Sequence, residues 1–201
     1  MSWIEEISFE QARGQLKKLY DRIKGPNGYL DNILSVHSLR PHSLFGHMSL
    51  YKNVLHNSNN SLPKWYLELI GVYVSQLNQC AYCVQHHFAG LRRLLQKDAW
   101  ADQLLAATSQ DEFGDMLDQK YLLGLAYAKV LTKYPHMVSQ VHIESMRSQG
   151  LDDGEILEIN QVVSYFCYAN RTVLGLGVST EGDILGLSPN ESSEPDNWSH
   201  S

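Results

Sequence analysis

Residues 78–91 read NQCAYCVQHHFAGL, with Cys80 and Cys83 three positions apart and His86 and His87 just behind them. On a helix, residues three or four apart share a face, so the two thiols lie together and an imidazole stands within a turn of Cys83. Such a stretch can be a metal site, a redox-active dithiol or a core helix that carries ligand-type residues. A helix beginning near Gln79 would favour thiolate over thiol through its unpaired N–H groups and its positive dipole end. That moves a thiol pKa from about 8.5 into the range of roughly 3.5–7.5 known for CxxC pairs. The spacing also lets one sulfur attack an oxidised partner and close a small ring, while a nearby imidazole accepts or relays the thiol proton. A structural zinc site usually takes two ligand pairs separated by a loop. Here Cys167 is the isolated third cysteine, and the chain has no second CxxC and no HxxxH. Neither a metal nor a cofactor is therefore expected.

A candidate partner for the imidazole stands upstream. Glu68 sits among Leu67, Leu69, Ile70, Val72 and Val74, apolar on most faces. A carboxylate in those surroundings has either a partner or a task, and orienting a histidine would be one. Other chemistry-bearing residues read more plainly. Cys167, in VVSYFCYAN, suits a small core position. Asn170 and Arg171 suit a buried pair with an acid such as Glu158, or a contact between subunits. His37, His42, His47 and His56 lack ligand spacing and suit surface or capping roles, with one of them in reach of the site's mouth.

The elements that must hold these residues read as helices. SFEQARGQLKKLYDRIKG predicts one, with Ser8 as N-cap, Gly25 as stop and apolar residues at steps of three and four. GPNGYLDN is turn chemistry. Another helix is predicted over 43–55, ending in the polar HNSNNS. LPKWYLELIGVYVSQLN opens on Pro63, suited to a first helical turn, and is apolar almost all round, as a helix buried on most sides must be. CAYCVQHHFAGLRRLL, the segment around Trp100 to Ala107, DQKYLLGLAYAKVLTKYP, VSQVHIESMRSQG and DDGEILEINQVVSYFCYANRTVLGLGV complete the helical series. In the last, Asp152 and Asp153 suit the positive helix start, whereas Val162, Val163, Thr172 and Val173 favour helix less. The Pro63 and Asp152 helices share a loose internal likeness, of the kind similar buried helices also show. With no alternating strand pattern, the fold class is all-α. Residues 1–187 are expected to form one helical domain, with 1–60 as an N-terminal arm and 61–187 as the CxxC-bearing core and later helices. The composition of 188–201 suggests a mobile tail.

At 201 residues, 43% hydrophobic and 19% charged, the chain has the composition of a globular domain with a sizeable core. A net charge of −6 argues against binding nucleic acid or an anionic membrane, which needs clustered Lys and Arg. The acidic N-terminal MSWIEEISFEQ has no signal-peptide character, and no apolar run approaches a membrane span. A cytoplasmic location is the resulting expectation.

The order Glu68, eleven residues, Cys80-x-Tyr82-Cys83, three residues, His87 resembles the signature of the AhpD-like superfamily, which includes the carboxymuconolactone decarboxylases. LTKYP, GLDDGEILEINQVVSYFCYANR, GLGV, SFEQARGQLKKLYDRI and HSLRPHSLFGH are similar to its branch of uncharacterised peroxidase-related enzymes. The likeness spans about residues 8–188. It implies an all-helical AhpD-like fold, assembly into homo-oligomers and a thiol-dependent peroxidase activity on hydrogen peroxide or organic peroxides. It further implies that Cys83 attacks the peroxide, that Cys80 donates a proton and then resolves the product as a disulfide, and that Glu68 and His87 relay the proton. An external dithiol, a protein or a lipoyl-type group, would restore the pair. Tyr82 departs from the pattern, since the founding peroxidase has a histidine immediately before its second cysteine. The decarboxylase members lack the cysteine pair, which speaks against their lactone chemistry here. The alternative on the same scaffold is a redox sensor or a thiol–disulfide exchange or binding protein. His86 has no counterpart in the pattern and is expected to be a bystander.

Overall fold

The structure, a computed structural model, describes residues 2–25 and 28–187. The expected tail over 188–201 and part of the GPNG turn lie outside these residues. The helices are α1 (Gly14–Ile23), the one-turn α2 (Asn32–Ser35), α3 (Pro41–Leu55), α4 (Lys64–Leu77), α5 (Ala81–Leu95), α6 (Asp98–Gln110), α7 (Gln119–Lys133), α8 (Gln140–Ser148) and α9 (Asp153–Leu176). A 3₁₀ turn at Pro135–Met137 follows α7. Among the described residues there is no strand, and no helix is long and apolar enough to cross a membrane.

Helix α4 is the axis of the molecule. Tyr66 to Ser75 are buried without interruption, as its all-round apolar sequence requires, and α5, α6, α7 and α9 pack around it. Each fully buried Leu, Ile or Val there contributes about 1.5–3 kcal/mol. Contact with α9 is close at Gly71, where a Cβ would stand 2.3 Å from the Phe166 ring. Helix α9 runs unbroken over 24 residues despite its β-branched positions, because Val162, Val163 and Val173 are all buried. Packing overrides a weak local preference. Its start is fixed by a capping box, in which Asp152 accepts from the Glu155 N–H and Glu155 from the Asp152 N–H.

The N-terminal arm has a smaller core of its own, built from Leu16, Leu19, Tyr20, Ile23, Leu34, Leu44 and Met48. Here the structure corrects one expected boundary. Ser8 does cap a turn, with its Oγ accepting from the Gln11 N–H, but helix α1 begins only at Gly14. Gly14 has φ 58°, a left-handed conformation that separates the turn from the helix. A third cluster joins Val36, Cys80, Tyr82, Cys83, Val173 and Val178, so the thiols lie where the arm, α5 and the end of α9 meet.

Candidate active site

The α4–α5 turn delivers the cysteines. Gln79 takes φ 58°, unusual for a residue with a side chain, and this sharp reversal puts Cys80 at the N-cap of α5. Both thiols are buried, 0% and 2% exposed, with their Sγ atoms 3.2 Å apart. The two do not titrate alike. The hydrogen bond shared with the Cys83 sulfur lowers the Cys80 pKa despite burial, helped by the Cys83 backbone N–H and the Asn170 side chain. The same sulfur contact, together with burial, holds the Cys83 thiol well above its ordinary value. In the reduced pair the first proton leaves Cys80, which has the helix start behind it.

Glu68 of α4 and His87 of α5 meet across the helix pair, with Glu68 Oε2 2.8 Å from His87 Nδ1. A carboxylate oxygen accepts, so Nδ1 carries the hydrogen and Nε2 is left with its lone pair. Phe166 and Tyr51 stand edge-on to the imidazole, with ring centroids 4.5 and 6.1 Å away, and fix its plane. Cys83, Glu68 and His87 line one cavity of about 40 Å³, enough for one or two water-sized molecules. Cys80 does not line it. Its other walls include Asp31, His47, Tyr51, His86, Tyr165, Gly186 and Leu187.

The structure corrects the reading of His86 as a bystander. His86 is 9% exposed, lines the cavity and bonds Asp183 Oδ2 through Nε2 at 3.0 Å. Asp183 belongs to the segment after α9 that folds back over α5, where Gly186 takes φ 81° and a Cβ would meet Ala89 at 2.9 Å. Its carboxylate also accepts from the Tyr82 hydroxyl (2.7 Å), the Tyr29 hydroxyl (2.8 Å) and the Asn32 N–H (3.1 Å). Burial would raise Asp183, yet hydrogen bonds from His86, Tyr82 and Tyr29 hold it below the ordinary carboxylate value. Tyr82 has the opposite fate. Burial, then the charges of Asp183 and Asp31, push its phenol far above 10, and the hydroxyl also accepts from the Ile33 N–H. It is a brace between arm, helix and C-terminal segment.

Other expectations change as well. His37, His47 and His56 are buried rather than superficial, and it is His47 that reaches the cavity, while His42 is exposed. Glu158 does not pair with Asn170 or Arg171. It accepts from the Ser61 and Leu62 N–H groups and closes the start of α4. Asn170 is fully buried, donating to Ser75 Oγ and accepting from Asn78, which aims its amide at the thiol pair. Arg171 donates to the Cys167 carbonyl on the exposed side of α9. Cys167 is half-buried beside Asn78 and Thr132, as its apolar surroundings suggest.

A buried dithiol at a helix start, backed by a carboxylate–imidazole pair inside an all-helical frame, defines a class of helical thiol proteins. Residues 46–119 match the sequence pattern of the carboxymuconolactone decarboxylase family, a span that holds Glu68, Cys80, Cys83 and His87. Across the described residues the fold is similar to that of a crystal structure from Ralstonia eutropha JMP134, described as an alkylhydroperoxidase AhpD core and uncharacterized peroxidase-related protein. The two are 22% identical, with a TM-score of 0.76 over 89% of this chain and 91% of that one. An uncharacterized peroxidase-related protein from Silicibacter sp. TM1040 is also 22% identical, with a TM-score of 0.72 over 88% and 87%. The debrominase Bmp8, as a Cys-to-Ala variant in complex with 2,3,4-tribromopyrrole, is 16% identical with a TM-score of 0.70 over 89% and 93%. No curated protein sequence matches the chain. Over residues 46–119 the chain carries the carboxymuconolactone decarboxylase family pattern, and its fold is similar to that of the peroxidase-related proteins of known structure.

Proposed function

We propose that the protein is a redox enzyme, a thiol peroxidase that reduces hydrogen peroxide or the –OOH group of small organic peroxides through Cys80 and Cys83. One observation carries this reading: Cys83 opens onto the same small cavity as the His87–Glu68 pair, with Cys80 3.2 Å behind it. With one proton already gone from the pair, the shared thiol hydrogen shifts from Cys83 to Cys80 and leaves Cys83 as the thiolate facing the cavity. His87 Nε2 holds the proton lost from the pair, with Glu68 stabilising the imidazolium, and returns it to the oxygen that leaves the peroxide. The Cys83 thiolate attacks the nearer peroxide oxygen, the O–O bond breaks, and the departing oxygen takes a proton to become water or an alcohol. Cys83 is then a sulfenic acid. Attack by the Cys80 sulfur forms the disulfide and expels the sulfenic hydroxyl as water. A dithiol reductant, a protein or a lipoyl-type group, returns both cysteines to thiols and is itself oxidised.

Burial of both sulfurs also favours a second reading, a redox sensor whose disulfide forms once and is not quickly reduced. Titrating the reduced protein with peroxide while following thiols by mass spectrometry, then adding dihydrolipoamide or reduced thioredoxin, separates the two. The peroxidase gives sustained peroxide consumption that Cys83→Ser abolishes, whereas Cys80→Ser stops at a trappable sulfenic acid. Disulfide formation without turnover by any dithiol identifies the sensor. Cysteines that stay reduced under excess peroxide overturn both. Assembly into homo-oligomers is part of the proposal, supported by Phe45 and Leu50 on α3 and Tyr168 and Leu174 on α9, large apolar side chains left exposed.

A further inference from the structure

Beside the dithiol lies a group of residues that thiol chemistry does not use. Asp31 comes from the loop before α2, His86 from α5 and Asp183 from the C-terminal segment, and their donor atoms all fall within 4.8 Å of one another. We propose that Asp31, His86 and Asp183 form a site for one first-row divalent metal ion of the Mn²⁺ or Zn²⁺ type, separate from the cysteines.

The spacing fits a shared ion. Two ligands on a metal with bonds of roughly 2.0–2.2 Å stand about 3.0–3.5 Å apart when adjacent, and His86 Nε2 and Asp183 Oδ2 are 3.0 Å apart. Asp183 is also held as a metal ligand needs to be: Tyr29 and the Asn32 N–H donate to Oδ1, and the Tyr82 hydroxyl donates to Oδ2, the oxygen beside His86. Asp31 supplies the independent observation. Its Oδ1 is buried, borders the cavity and has no hydrogen-bond partner. A buried carboxylate oxygen without a donor costs the full desolvation of a charged acceptor. The charges facing the site sharpen the point. Within the cluster itself two carboxylates face one imidazole, while the adjoining cavity is lined by Glu68 together with His47 and His87. A dication answers both the orphan oxygen and the surplus charge.

One imidazole with two carboxylates and no thiolate in the set suits borderline to hard divalent ions, and water in the cavity would fill the open positions. The ion competes with protons for its ligand atoms, so affinity rises with pH. The ion would tie the arm, α5 and the C-terminal segment together over the cavity that Cys83 faces.

The test uses the full chain, reduced and stripped of metal, titrated with Mn²⁺ and followed by the loss of the free-ion signal in electron paramagnetic resonance. Mn²⁺ is the probe because thiolates bind it poorly. The expected result is one saturable equivalent, unchanged in the Cys80→Ser/Cys83→Ser double variant and weakened by about tenfold or more in Asp31→Asn. Because the double variant has no thiol chemistry, this outcome does not depend on the peroxidase reading. Asp31→Asn is chosen because Oδ1 holds no hydrogen bond that folding would miss, and circular dichroism checks its helix content. His86→Gln serves as the second variant and is expected to weaken binding as well. No saturable binding, or binding lost with the cysteines and indifferent to Asp31→Asn and His86→Gln, overturns the site.

Discussion

Asn170 shows how a buried side chain adds to the readiness of the thiols. Its amide is anchored by Ser75 and Asn78, and it adds to the Cys83 hydrogen bonds that lower Cys80, while at Cys83 it opposes the rise caused by the Cys80 contact and burial. A hydrogen bond to a charged group contributes about 1.5–3 kcal/mol. Asn170→Ala is therefore expected to raise the pKa of the first thiol and to slow oxidation by peroxide about tenfold or more at neutral pH. Thiolate absorbance against pH, with stopped-flow oxidation of the same samples, checks both parts. A slower variant with an unmoved thiol pKa would assign Asn170 to packing alone. The sequence carried Glu68, Cys80, Cys83 and His87 because helical spacing and an apolar setting give each a local reason. It carried only the polarity of Asn170, since which group that amide faces is decided by how α9 lies against α4. Asp31 and Asp183 were silent for a stronger reason. They are loop residues about 150 positions apart, and nothing in either neighbourhood points to the other.

Among the elements, the α4–α9 contact controls the site's geometry. Gly71 lets the helices approach until the Phe166 ring occupies the space a Cβ would need, and the same ring stands edge-on to His87. An alanine in a helix interior would ordinarily gain roughly 0.5–1 kcal/mol over glycine. Gly71→Ala is expected to reverse that sign and lose about 1–3 kcal/mol through overpacking, seen as a lower urea midpoint at unchanged slope. An increase in stability would mean that Phe166 yields easily and does not fix the imidazole. Most helices were legible at this scale because caps and stops are local, as with Asp152, Pro63 and Pro135. The start of α1 was not, since apolar spacing over 9–23 continues straight through Gly14 while the backbone turns left-handed there. Nor was the return of residues 178–187 across α5, which rests on Asp183 finding Tyr29, Tyr82 and His86.

For the whole molecule, the buried titratable groups set opposing pH dependences. Burial lowers His47 to about 3 and His56 well below its ordinary value, and lowers His37 as well. Below about pH 6.5 the unfolded chain takes up protons that the folded one refuses, so these histidines contribute stability that is present above that pH and lost as pH falls toward 3. Asp31 acts the other way. Burial raises it to about 6 from 3.8, so the folded state holds a proton between those values that the unfolded chain has lost. Its contribution is favourable below about pH 4 and becomes a penalty, fully developed above pH 6, of up to about 3 kcal/mol. The metal-free protein is therefore expected to lose thermal stability from pH 7 to pH 5, driven by the histidines. Asp31→Asn is expected to be more stable than the parent at pH 7–8, with the two converging below about pH 4. Melting curves across that range in the presence of a chelator decide the matter, and parallel curves at every pH would refute the account of Asp31. A substitution that stabilises the metal-free fold while weakening Mn²⁺ binding is what a residue held for a ligand, at a cost to the fold, should show.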